Sequence, residues 1–89
     1  MMSLLKEMQQ NIFQKGEYMT DTLKLKQILL EKGITIRKLA VLAGIKVQTL
    51  SNKINNVTEF TQSELLAIQH ALSLSNKQMH EIFLVEKVD

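Results

Sequence analysis

The sequence predicts an all-α domain of five helices, and three features of the chain support this class. Apolar residues recur three and four positions apart in five separate stretches after residue 20. Residues that commonly cap helices precede these stretches, and glycine or asparagine follows several of them. No stretch alternates apolar and polar residues as a half-buried strand does, so we expect no strands.

Length and composition limit what the chain can be. Its 89 residues suffice for one small domain, and none of them is cysteine or proline. The lack of cysteine excludes disulfides and thiolate chemistry, which suits a reducing compartment. No apolar run approaches membrane-spanning length, and the N-terminus lacks the apolar region of a secretory signal. We therefore expect a cytoplasmic protein without a membrane partner.

The first 18 residues form an extension to the predicted domain, which covers residues 19–89. Leu5, Met8 and Ile12 fall on one helical stripe, so the extension can be a short amphipathic helix used for docking. Alternatively, residues 15–19 can be encoded by DNA that contains a ribosome-binding GGAG just before an ATG codon. We prefer this second interpretation, in which translation naturally starts at Met19.

The first predicted helix spans about residues 22–32. Asp21 or Thr20 is its N-cap, because either side chain can accept a hydrogen bond from the first turn. Leu23 and Leu30 add a second apolar stripe outside the core-facing one. This second stripe can pack either on the extension or on the last helix.

The fourth and fifth helices both begin with a capping box, in which a hydroxyl residue precedes Glu or Gln by three positions. The two boxes are Thr61 with Glu64 and Ser75 with Gln78. Residues 82–85, at the end of the last helix, are four consecutive apolar residues that one helix face cannot bury. We expect them to form a dimer interface, unless the chain end folds back and covers them.

Residues 35–56 are the part around which the chain is organised. They predict two short helices joined by a tight turn at Gly44, where a left-handed conformation favours glycine. The second of these helices starts near residue 47 and turns Leu50 and Ile54 inward. Its opposite, polar face carries Gln48, Ser51, Asn52 and Asn55. Uncharged amides gathered on an exposed helix face indicate a binding surface.

This arrangement resembles the helix-turn-helix of the lambda-repressor-like family, the Cro/CI or XRE type common among phage repressors. The resemblance rests on Ala40, four residues before Gly44, and on Leu50, six residues after it. It covers about residues 23–83. It implies a five-helix fold in which the second helix of the motif enters the DNA major groove and the first crosses the backbone.

The resemblance also implies the residues that contact DNA. Base contacts are expected from Lys46, Val47, Gln48, Ser51 and Asn52. Backbone contacts are expected from Thr35, Arg37, Lys38, Thr49, Lys53 and Asn55. The role of Val47 is open, because this residue lies close to the inward side of its helix and can equally pack in the core. Lys46 stands where the family usually has a Ser or Thr cap, so the reading helix should start without a side-chain cap.

Charge is unevenly distributed along the chain. Residues 19–56 carry seven basic side chains against two acidic ones, a balance of +5. Residues 57–89 carry two basic side chains against five acidic ones, a balance of −3. A positive half suits a polyanionic partner such as DNA, although chance clustering on a solvated surface gives the same count.

The sequence contains no recognisable catalytic or metal-binding pattern. His70 and His80 lie on different predicted helices, and there is no cysteine to join them in a metal site. The three glycines are far apart, so they do not form a phosphate-binding loop. We therefore expect neither an enzyme nor a cofactor nor a small-molecule substrate.

Together these features predict a sequence-specific DNA-binding regulator. We expect a phage or prophage repressor of the Cro/CI type, which binds double-stranded DNA at a palindromic operator as a homodimer. The alternative is a protein-binding module on the same fold, such as an antitoxin-like partner, because a fold does not by itself determine function.

Overall fold

The structure is a computed structural model, and it describes residues 18–86. In chain order its elements are β1 (Tyr18–Met19), α1 (Thr22–Lys32), α2 (Ile36–Ala43), α3 (Val47–Ile54), α4 (Gln62–Leu72), α5 (Asn76–Phe83) and β2 (Val85–Glu86). The predicted five-helix, all-α class is confirmed. α1 has its predicted bounds, and α3 begins at residue 47 as expected.

The expectation that the chain has no strands is wrong at the two ends of the described region. Tyr18 pairs with Glu86 and Met19 with Val85 in a short antiparallel ladder. A strand of two residues is too short to display an alternating pattern, so periodicity could not reveal it. The ladder brings the two ends of the described region together.

Local hydrogen bonds explain where the helices begin. The Asp21 side chain accepts from the Lys24 backbone N–H at 3.0 Å, so Asp21 is the cap of α1. Thr20, the other candidate, is instead buried. Both predicted capping boxes form at the starts of α4 and α5.

The core is built from apolar side chains of all five helices. Its buried members are Leu25, Leu29, Leu39, Ala40, Leu50, Ile54, Ile68, Leu72, Leu74, Ile82 and Phe83. Phe60, in the loop before α4, packs edge-to-face on Phe83 with ring centroids 5.3 Å apart. This core holds α3 by its inward face and leaves its polar face toward solvent.

Most of the apolar run at 82–85 is covered within the chain itself. Ile82 and Phe83 lie in the core, Leu84 is half-buried, and Val85 pairs with Met19 in the ladder. The core and the ladder with β1 therefore cover most of this run, and Leu84 and Val85 remain partly exposed. The run gives no reason to place a dimer interface at α5.

The second apolar stripe of α1 is exposed in the described part of the chain. Leu23 and Leu30 are each 80% exposed, so they do not pack on the last helix. The predicted extension lies outside the described residues except for Tyr18. Within residues 18–86 no helix combines the length and the apolar character needed to cross a membrane.

Candidate nucleic-acid interface

The turn between α2 and α3 is formed by backbone hydrogen bonds around a left-handed glycine. Gly44 has φ 71°, its N–H donates to Val41 O, and the Ile45 N–H donates to Ala40 O at 2.9 Å. These two bonds satisfy carbonyls at the end of α2. A Cβ added to Gly44 would meet nothing within 4 Å, so the left-handed backbone, and not crowding, favours glycine here.

The start of α2 and the start of α3 differ in their capping. Thr35 Oγ1 accepts from the Lys38 N–H at 3.0 Å, which fixes the first turn of α2. Lys46, the N-cap of α3, forms no side-chain cap hydrogen bond, as its residue type implied. The backbone N–H groups in the first turn of α3 therefore receive no hydrogen bond acceptor from the Lys46 side chain.

The polar face of α3 lies at the surface, and two of its amides are bonded to each other. Gln48 Nε2 donates to Asn52 Oδ1 at 3.1 Å, across one helical turn. Gln48 is exposed, whereas Ser51 and Asn52 are half-buried. Asn55 is exposed, and its side-chain nitrogen donates to Ser51 O at 3.0 Å.

Val47 lies outside the core. It is 40% exposed and stands one residue before Gln48 at the start of α3. Of the two alternatives for this residue, the surface position is the one observed. An apolar side chain is thus available beside the polar face of α3.

The candidate backbone contacts fall into two groups in the structure. Arg37 and Lys38 are exposed on the first turn of α2, directly after the cap Thr35. Thr49 is half-buried on the first turn of α3. The basic side chains of α2 are therefore open to a solvent-borne anion.

Lys53 has a different environment from the one expected of a phosphate contact. Its Nζ pairs with Glu64 Oε1 at 2.5 Å, and the two side chains are only 12% and 21% exposed. Lys53 lies about 60° from Leu50 around the helix, which turns it toward α4 and away from the polar face. The structure thus gives its ammonium group an internal partner.

Glu64 is a functional candidate that sequence reasoning used only as part of a capping box. Burial by itself would raise the pKa of its carboxyl group, but hydrogen bonds from Lys53 and Thr61 and the charge of Lys53 outweigh burial and lower that pKa. The partner could not be found from spacing, because Lys53 and Glu64 are separated by a loop without a repeating pattern. A lysine beside the inward face of a helix was the one available signal.

The turn after α3 is tied to the start of the domain. Asn56 has φ 65°, and its side chain accepts from Thr20 N at 2.8 Å and donates to Thr20 O at 2.9 Å. Thr22 Oγ1 donates to Ile54 O at 2.7 Å. No sequence pattern predicted the pairing of Asn56 with Thr20.

The charge separation along the sequence is reduced in the folded protein. Lys53 pairs with Glu64, and Lys24 Nζ lies 3.6 Å from Glu81 Oε1. Two cations of the positive segment 19–56 are thus paired with acidic side chains of the negative segment 57–89. Among residues 18–86 no group of three or more His, Asp or Glu side chains could hold a metal ion. The candidate interface therefore depends on the polar face of α3 and the basic first turn of α2.

Comparison with known proteins identifies the family. A family model described as helix-turn-helix matches residues 25–75, from Leu25 near the start of α1 to Ser75, the N-cap of α5. This match includes both helices of the motif and more than half of the chain. No curated protein matches the chain. The protein belongs to the lambda-repressor-like (XRE) helix-turn-helix family of DNA-binding transcription regulators.

Proposed function

We propose that the protein is a repressor of the Cro/CI type that reads an operator through the polar face of α3. The observation that carries this proposal is the hydrogen bond between exposed Gln48 and half-buried Asn52 on the polar face of α3. Side-chain amides on the second helix of such a motif are suited to base edges in the major groove. Their position on a helix fixed by the core gives them a defined direction.

The chemistry of the pair favours adenine. One amide donor and one amide acceptor are used in the bond between Gln48 and Asn52, and each residue keeps hydrogen-bonding capacity for a ligand. Adenine presents an acceptor, N7, beside a donor, the N6 amino group, whereas guanine presents two acceptors. A linked donor and acceptor therefore match adenine better than guanine. Val47 can contact a thymine methyl group nearby.

The remaining candidates complete the proposed mode of binding. The Lys46 side chain is exposed at the start of α3 and can reach guanine O6 and N7. Thr35, Arg37, Lys38, Thr49 and Asn55 are the proposed phosphate and sugar contacts. They would set the register of the protein on the duplex without reading its sequence.

We also propose that the protein binds as a homodimer to a palindromic operator. One helix of this type reads only a few base pairs, so a single domain provides limited specificity. Two copies related by two-fold symmetry would double the number of bases read. Repression would follow from occupation of the operator, which prevents other proteins from binding the same DNA.

One observation favours the alternative of a protein-binding, antitoxin-like module. Val41 and Leu42 are 69% and 47% exposed on α2, next to the proposed DNA-binding surface. Single exposed apolar residues are common, but two adjacent ones beside a functional motif can contact another protein. A protein partner at this surface would compete with DNA.

The test is a selection of bound sequences from random duplex DNA, carried out with the parent protein and with Gln48→Ala. The parent should enrich a palindrome with adenine at fixed positions in each half, and Gln48→Ala should lose that preference. Gln27→Ala is the matched control, because Gln27 is an exposed amide that also bonds four residues along its helix. If the parent enriches no sequence, the protein-binding alternative is supported instead.

A further inference from the structure

The Lys53–Glu64 ion pair connects the reading helix to the next helix. Glu64 Oε1 accepts from Lys53 Nζ and also from the Thr61 backbone N–H, the latter at 2.8 Å. In return, Thr61 Oγ1 accepts from the Glu64 N–H at 3.2 Å. The carboxylate is thus fixed by the first turn of α4, and Lys53 attaches the last turn of α3 to it.

Two further bonds hold the same end of α3. Ile54 O accepts from Thr22 Oγ1, and Asn56 is bonded to the backbone of Thr20. The opposite end of the helix begins at Lys46, which has no side-chain cap hydrogen bond. Together with the core packing of Leu50 and Ile54, the C-terminal turn therefore helps to set the direction of α3. Lys53 provides an ion pair to α4 at this turn.

We propose that Glu64 is a positioning residue for DNA reading, which acts through Lys53 to set the direction of α3. This inference rests on the proposed function. Lys53, whose ammonium is neutralised within the protein, contributes no phosphate contact and hence releases no counterions from DNA. The pair affects the discrimination between DNA sequences, because a small tilt of α3 displaces Gln48 and Asn52 from their base edges.

The Lys53–Glu64 ion pair can be removed by substitution of either residue with limited damage to the fold. Glu64→Gln removes the charge but keeps a residue that serves in a capping box, so the start of α4 is retained. Lys53→Met removes the ammonium and keeps a long, unbranched side chain. Lys53→Arg keeps the charge and should restore the pairing in part.

Two controls match these variants. Lys24→Met breaks the Lys24–Glu81 pair, which is 45% and 43% exposed and joins α1 to α5 without touching α3. Ile68→Val makes a mild change in the buried part of α4 and lowers stability without removing a charge. The first control tests the loss of any ion pair, and the second tests the loss of stability alone.

The experiment measures the affinity of each full-length variant for the selected operator and for a scrambled duplex over a series of salt concentrations. Lys53→Met and Glu64→Gln should each reduce the operator-to-scrambled affinity ratio about tenfold, the scale of one lost base contact. The salt slope is the slope of log affinity against log salt concentration. Lys53→Met should have the same salt slope as the parent. Glu64→Gln should steepen it by up to about 0.9, because the released ammonium can now reach a phosphate. Lys53→Arg should retain part of the operator-to-scrambled affinity ratio that Lys53→Met loses. Both control variants should have the same ratio as the parent.

Several results would overturn the inference. An unchanged ratio in both pair variants shows that the ion pair only stabilises the fold. A salt slope reduced by about 0.9 in Lys53→Met, with equal weakening on both duplexes, identifies Lys53 as a phosphate contact. If Lys53→Met does not fold, the affinity ratio of Glu64→Gln alone tests the inference. A parent protein that does not distinguish the two duplexes overturns the proposed function and this inference together, whereas parental discrimination retained by the variants overturns only the inference.

Discussion

The two ends of α3 are held in different ways. At the C-terminal end, Lys53, Ile54 and Asn56 are bonded to α4, to α1 and to the segment that follows β1. At the N-terminal end, Lys46 provides no side-chain cap and Gln48 is exposed. We infer a division of roles, in which one end fixes the helix to the domain and the other end contacts DNA.

The same comparison applies to the two faces of α3. Leu50 and Ile54 are completely buried, whereas Gln48 and Asn55 on the polar face are exposed. The effect of a substitution should therefore depend on which face and which end of α3 it changes. Changes at the inward face and in the turn after α3 should affect stability, and changes at the polar face should affect binding. Substitution of Lys53 or Glu64 should affect the discrimination between DNA sequences.

The largest expected effect is on the inward face. Leu50→Ala should lower the free energy of unfolding by about 2–5 kcal/mol, because it leaves a cavity among buried side chains. Urea denaturation followed by circular dichroism measures this change. A loss below about 1 kcal/mol would contradict the view that α3 is anchored through this residue.

The next effect is at the turn after α3. Asn56→Gly keeps a residue suited to φ 65° but removes the side chain that pairs with Thr20 N and O. We expect a loss of about 1–3 kcal/mol in the free energy of unfolding, since the partly buried backbone groups of Thr20 lose their partners. Asn56→Ala should cost more than Asn56→Gly, because alanine is strained in the left-handed region. Equal stability of Asn56→Gly and the parent would show that this pairing is unimportant.

A smaller effect should depend on pH. The folded state lowers the pKa of the Glu64 carboxyl group below its reference value of 4.5, so ionised Glu64 stabilises the fold above that pH. This contribution should be lost as the pH falls from about 4.5 through the lower pKa of the folded state. Denaturation of the parent and of Glu64→Gln at several pH values tests it. The stability difference between the two proteins should shrink in acid, and a difference that is constant with pH would exclude an ionic role.

The elements that the sequence predicted correctly depend on neighbouring residues. The turn at Gly44 and the capping box at Thr61 act within three or four positions along the chain, so a reader of the sequence can identify them. The two α-helices of the motif follow from these signals together with the spacing of Leu50 and Ile54.

The features that the sequence did not reveal depend on distant residues. The ladder between Met19 and Val85 joins segments at opposite ends of the described chain. The pairing of Lys53 with Glu64 crosses the loop between α3 and α4. The surface position of Val47 was undecided because its helical angle lies at the border between the core and the polar face.

The central claim is that the polar face of α3 reads DNA, and the most direct measurement compares stability and operator affinity on the same variants. Gln48→Ala and Asn52→Ala should change the free energy of unfolding by less than about 0.5 kcal/mol, since surface substitutions have small effects. Each should weaken binding to the selected operator by roughly 1–3 kcal/mol, and Gln27→Ala should bind like the parent. Because the two amides are bonded to each other, the double variant should lose less than the sum of the single losses. Parental affinity in both Gln48→Ala and Asn52→Ala would contradict the claim and show that α3 is not the reading helix.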